Sequence, residues 1–200
     1  MFKLRCPLSK YMAKGINMRR RAFLGSVGVL VAAPHVATAF TLDQIYRPQY
    51  VTMKSDVGAG QILVLPRAHF LYFVTEPGRA LRYGIGVGRA GLAFTGAAVI
   101  ARKATWPSWR PTNEMIQRDP KTYSRFVDNK YVQPGGPDNP LGSRALYLYK
   151  DGRDTYFRIH GTTEPESIGL SVSNGCIRMI NEHVQHLYNR VPIGTRVTVL

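Results

Sequence analysis

The chain has 200 residues, with 27 Lys+Arg against 12 Asp+Glu and two cysteines. Seven of the bases and none of the acids fall in residues 1–39, so the remainder carries a net charge of +8. About 160 residues make one domain with a real core, and a basic surface of that size suits an anionic polymer or envelope surface. No Lys/Arg run of five or more follows residue 40, and no nucleic-acid motif is present, so nucleic acid is not an expected partner.

Residues 1–39 read as an export signal that is removed. Lys3, Arg5, Lys10, Lys14 and Arg19–Arg21 precede the apolar run "AFLGSVGVLVAA", and "ATA" at 37–39 places small residues at a cleavage site. The run is too short for a membrane span, which takes about 20 residues. "RRAFL" at 20–24 is similar to the twin-arginine export pattern, and Met18 offers an alternative start. The expected location is therefore the periplasm or cell envelope, with no membrane span once the signal is gone. Removal of the signal takes Cys6 with it and leaves Cys176 alone. An unpaired cysteine in an exported protein implies an intermolecular bridge or a reactive thiol.

Residues 40–59 are expected to form an irregular N-terminal arm, and residues 60–200 the main domain. "QILVL" (61–65) and "HFLYFV" (69–74) read as strands of a hairpin, followed by turn chemistry at "EPGRA" (76–80) and a strand at "LRYGIGV" (81–87). "GIGVGRAG" has the wrong spacing for a dinucleotide loop, and no helical pattern follows it. Residues 102–144 are rich in Trp, Pro, Gly and Asn and read as long ordered loops around a short helix near 112–120. "RALYLYK" (144–150) and "DTYFRIH" (154–160) bracket a turn. Alternation puts Phe157 and Ile159 on one face and Tyr156, Arg158 and His160 on the other. "NEHVQHLYNRV" (181–191) reads as a helix with Asn181 as N-cap and an apolar stripe at Val184, Leu187, Tyr188 and Val191; a last strand closes the chain. The pattern predicts a mostly β fold.

His160 ends one strand, and Cys176 follows a polar loop that can fold back beside it. A free thiol is only a few per cent ionised near neutral pH, and a neighbouring imidazole can take its proton. The N–H groups of Asn174, Gly175 and Cys176 are candidates for an oxyanion hole, worth about 3 kcal/mol per donor. Arg178 is placed to bind a carboxylate in two-pronged fashion. On these residues alone, an inert buried cysteine and a metal site built from His160, Cys176, His183 and His186 remain alternatives.

"RIHGT" followed by "SNGCIRM" resembles the signature of the L,D-transpeptidases, the YkuD-domain family: His-Gly-Thr, a spacer, then Ser-x-Gly-Cys-x-Arg. "SIG" at 167–169, "NPLG" at 139–142 and the C-terminal tail are similar to the same family, over roughly residues 60–200. Two departures stand out. Asn174 occupies a position where many members carry histidine, and "FTGAA" (94–98) lacks the proline of the family's upstream segment. The resemblance implies an L,D-transpeptidase-type β-sandwich with short helices beside the catalytic loop. It also implies Cys176 as nucleophile and His160 as base, with Gly161 orienting the base and Ser173 and Arg178 as substrate contacts. No metal or cofactor is implied. The implied substrates are peptidoglycan stem peptides, with an amine of another stem or an envelope protein as acceptor, and carbapenems as acylating inhibitors. A hydrolase using the same thioester and an inactive peptidoglycan-binding module are the rival readings. Trp106 and Trp109 are candidates for the cleft wall or the core.

Overall fold

The computed structural model describes residues 40–128 and 130–200. The expected export signal, its cleavage point and Cys6 lie outside the described residues.

Eleven strands and two short helices make up the described fold. β1 (Gln49–Thr52), β2 (Ile62–Leu65), β3 (Phe70–Glu76) and β4 (Arg79–Gly84) come first, then the two-residue β5 (Val87–Gly88) and the long β6 (Gly96–Thr105). Helix α1 (Asn113–Arg118) lies in the loop-rich middle. β7 (Arg144–Lys150), β8 (Arg153–His160), β9 (Ser171–Ser173), β10 (Ile177–Arg178), α2 (Asn181–Tyr188) and β11 (Arg196–Val199) complete the chain. Nine strands form one sheet in the order β1-β4-β3-β2-β11-β6-β7-β8-β10, and β5 pairs with β9 separately.

The fold is mostly β, as the sequence predicts, and the hairpin, α1, β7, β8, α2 and β11 fall where periodicity puts them. Three elements differ. The stretch read as an irregular arm contains β1, which pairs antiparallel with β4. The loop-rich middle begins later than expected, because β6 runs on to Thr105. The spacer between His160 and Cys176 contains β9. These elements lack an alternating pattern of their own and are held by their neighbours.

β6 joins the two halves of the sheet. Gly96–Val99 pairs with β11 and Val99–Thr105 with β7, with a register shift between Ile100 and Arg102. Such a bulge bends its strand. Inward residues of the first half (Ile62, Leu71, Tyr83) and of the second (Leu146, Leu148, Ile159) then share one core with Val184 and Leu187 of α2. The helical stripe is thus buried as expected, while Tyr188 remains half-buried under Lys103.

Asn181 is not the N-cap; Ile180 holds that position and makes no side-chain cap. The Asn181 carboxamide instead accepts from the Ser143 N–H at 2.9 Å and donates to the Thr162 carbonyl at 3.0 Å. It therefore ties the start of β7 to the end of β8, next to His160. Replacing Asn181 by Ala strands a backbone donor and an acceptor in a half-buried site. Urea denaturation is expected to show a loss of about 2 kcal/mol.

Candidate active site

β10 lies parallel to β8, with Ile177 opposite Ile159 and Arg178 opposite His160. The Met179 N–H donates to the His160 carbonyl at 2.8 Å. On its other side the Arg178 backbone exchanges two hydrogen bonds with Gly86, at 2.8 and 2.9 Å. A Cβ on Gly86 would sit 2.5 Å from the Ser167 carbonyl, so only glycine lets the two segments approach. Cys176 immediately precedes β10, so this pairing brings it to the strand that ends in His160.

A bulge shapes β8. Tyr149 pairs with Asp154, but Tyr147 pairs with Arg158, so Thr155 and Tyr156 are extra residues on β8. Tyr156 takes a left-handed backbone (φ 61°) and its ring is 70 % exposed. Phe157 and Ile159 still face the core as expected, and Tyr156 faces out at the bulge. Its carbonyl lies 3.9 Å from Cys176 Sγ, which donates to it. Asp154 and Arg158 form a two-pronged ion pair at 2.8 and 2.9 Å, with the guanidinium over Tyr147.

His160 is 4 % exposed and its Nδ1 lies 2.5 Å from the Gly161 carbonyl. Only an Nδ1–H can donate to that carbonyl, which leaves Nε2 as the basic nitrogen. Burial pulls its pKa down to about 4, helped by the charges of Arg178 and Arg158 and opposed by the bond to Gly161. Burial also pushes the Cys176 thiol up; the Arg158 N–H and the charges of Arg158 and Arg178 oppose this. The resting pair is thus a neutral thiol and a neutral imidazole.

The other predicted residues separate into those the cleft uses and those it does not. Ser173 is buried; its hydroxyl donates to the Cys176 carbonyl at 2.7 Å and accepts the Gly175 N–H at 3.1 Å. Ser173 thus braces the cysteine loop from within while also lining the cavity that Cys176 and His160 face, and the Gly175 N–H already has a partner within the loop. Gly175 itself has φ 127°, and a Cβ there would meet Leu92 O and the Phe157 ring at 2.7 Å. Arg178 is paired with Glu164 at 2.5 Å, a partner the sequence reading missed although it lies four residues after His160. His183 and His186 do not join His160 and Cys176: His186 Nδ1 meets the Tyr83 hydroxyl at 2.7 Å, and His183 packs near the same ring. Among the described residues no group of three or more His, Cys, Asp or Glu is arranged to hold a metal.

Cys176 and His160 face one cavity of about 1070 Å³, whose wall includes Arg102, Arg110, Arg118, Arg158 and Arg178 against Glu114 and Glu164. Such a wall favours anionic ligands. Trp109 lines this cavity; Trp106 is half-exposed outside it.

The L,D-transpeptidase catalytic domain family, YkuD, matches residues 59–199. The chain belongs to this family. It is 32 % identical to the probable L,D-transpeptidase ErfK/SrfK of Salmonella typhimurium over 97 % of this chain and 59 % of that protein. It spans about half the length of the curated relatives it matches. A solved structure named as a probable carnitine operon oxidoreductase from Brucella melitensis shares 53 % identity. That comparison covers 80 % of this chain and 96 % of that one, with a TM-score of 0.54. An L,D-transpeptidase from Mycobacterium smegmatis shares the fold at 16 % identity and a TM-score of 0.51, over 70 % of this chain and 58 % of that one.

Three outcomes follow for this L,D-transpeptidase domain. Alkylation of Cys176 by iodoacetamide is expected to keep rising with pH beyond the ordinary cysteine value of 9.0, with no break near 6.5 where a free histidine titrates. Because the unfolded chain takes up a proton at His160 before the folded one does, the native state loses stability as pH falls from 6.5 towards 4. Gly175→Ala is expected to lower the alkylation rate at least about tenfold by forcing the loop to shift, which mass spectrometry of the modified peptide measures.

Proposed function

We propose that the protein is a peptidoglycan L,D-transpeptidase working through a cysteine thioester. The observation that carries this reading is the Cys176/His160 pair, brought to one arginine-rich cavity by the parallel pairing of β10, which Cys176 precedes, with β8, in a chain of this family. His160 Nε2 takes the thiol proton as Sγ attacks the carbonyl of the meso-diaminopimelate residue of a donor tetrapeptide stem. Since both groups start neutral, the proton moves with the attack rather than before it. Gly161 holds the ring in the tautomer this needs. The N–H groups of Asn174 and Cys176 stabilise the tetrahedral oxyanion. Its collapse breaks the peptide bond, and the leaving amine of terminal D-alanine takes the proton from the His160 imidazolium. The amine of a second stem, or of an envelope protein, then resolves the thioester with His160 again as base. Arg178, released from Glu164 or shared with it, meets a donor carboxylate.

A hydrolase would run the same first half with water as the final acceptor. The oxidoreductase name of the Brucella protein is not carried over, because the glycines from Gly84 to Gly91 here end β4 and form β5 instead of opening a helix over a dinucleotide. Residues 1–39 are proposed as a twin-arginine type export signal, residues 40–59 as an N-terminal arm and residues 60–200 as the catalytic domain. The proposed location is the periplasm. No helix among the described residues is long and apolar enough to cross a membrane.

Intact mass spectrometry with a carbapenem tests the acylation step. One adduct is expected, lost in Cys176→Ala; an unmodified wild-type protein counts against the reading. His160→Gln is expected to slow adduct formation by about 10²–10⁴-fold, the usual contribution of a general base. Muropeptide analysis of cells expressing wild type or Cys176→Ala then separates 3→3 cross-linking from protein attachment and hydrolysis.

A further inference from the structure

Asn174 spends its whole carboxamide on a distant part of the chain. Arg118 Nη2 donates to Asn174 Oδ1 at 3.1 Å, and Asn174 Nδ2 donates to the Tyr123 hydroxyl at 3.1 Å. The chemistry fixes the orientation of the amide, since a guanidinium only donates.

Arg118 is the last residue of α1, and Tyr123 follows it closely. The segment between them is internally braced. The Thr112 hydroxyl caps α1 by accepting from the Met115 N–H, Asp119 accepts from the Thr122 N–H, and the Tyr123 N–H reaches the Asp119 carbonyl. Trp109 packs on Tyr123 and Phe126, and Phe126 on Tyr131. The segment thus carries a small apolar cluster of its own. It is anchored to the sheet at its start, where the Trp106 N–H donates to the Ser143 carbonyl.

This segment forms one wall of the cavity, through Trp109, Arg110, Met115, Arg118 and Tyr123. The loop that bears Cys176 and the strand that ends in His160 line the same cavity. Asn174 bonds across the cavity from the nucleophile's loop, two residues before Cys176. The Trp106 anchor and the two backbone bonds between Trp109 and Gln133 hold the base of this region independently of Asn174.

We propose that Asn174 latches the α1 segment over the cleft and so sets the size of the molecule that reaches Cys176. For its meaning in turnover this rests on the acyl-transfer reading of Cys176. The latch itself is a property of the fold and is tested separately.

In a Cys6→Ser background, Cys176 is modified either with iodoacetamide or with a maleimide bearing a long polyethylene glycol chain. Asn174→Ala is expected to raise the ratio of the bulky to the small rate by about tenfold, and Tyr123→Phe, which removes one bond of two, by less. The readout is the ratio and not either rate: a general loss of loop structure moves both rates together and leaves the ratio where it was. A ratio unchanged in Asn174→Ala overturns the proposal. Hydrogen-exchange mass spectrometry over residues 112–126 gives a readout independent of the thiol. If Cys176 reacts with neither reagent, the acyl-transfer reading fails and the exchange decides the latch: faster exchange in Asn174→Ala supports it, and unchanged exchange overturns it.

Discussion

The site depends on a short piece of backbone pairing. β10 contributes only Ile177 and Arg178, yet it is bonded to β8 on one side and to Gly86 on the other. Two residues of parallel pairing are weak alone. They hold because Ile177 and Ile159 are both buried in the shared core and because the Arg178 backbone is also bonded to Gly86, whose lack of a side chain leaves room for the Ser167 carbonyl. Everything chemical hangs from this pairing: Cys176 precedes it, His160 ends the partner strand, and Arg178 lies within it.

Around that ladder, side chains fix loops rather than add chemistry. Ser173 closes the turn into Cys176 from inside, and Asn181 fastens the chain on both sides of His160. The bulge at Thr155–Tyr156 turns a backbone carbonyl towards the thiol. Bulges beside active sites re-aim groups in this way, and the left-handed Tyr156 is the local cost. Asp154 is paired with Arg158, whose charge disfavours the imidazolium of His160 and favours the thiolate of Cys176. Burial acts on both groups in the direction of neutrality and outweighs these charges. In the candidate site burial thus favours the neutral form of both the imidazole and the thiol.

Loop composition and function coincide in the middle of the chain. Residues 106–140 carry many of the cleft-facing residues and their own aromatic cluster, and they reach the cysteine loop through Asn174. The arginines of the cavity wall come from this segment and from β6, β8 and β10 alike. The basic character of the cleft is thus assembled from four places in the sequence.

The family was legible in the sequence, because the two motifs around His160 and Cys176 carry the resemblance and a family model matches residues 59–199. The hairpin, β7, β8, α2 and β11 were legible too, since each has a hydrophobic period of its own. β1, β9 and β10 were not: they are short, lack alternation and are strands only because a neighbour offers a ladder. The bonds of Ser173 and Gly175 within the cysteine loop, and of Asn181 beside His160, were hidden for the same reason. Which of several possible partners a hydroxyl, an N–H or a carboxamide takes is set by what long-range folding brings within 3 Å, and local sequence does not encode that. Glu164 on Arg178, and Arg118 and Tyr123 on Asn174, were decided by tertiary structure alone, because ion pairs and hydrogen bonds between distant segments leave no periodic trace in either one.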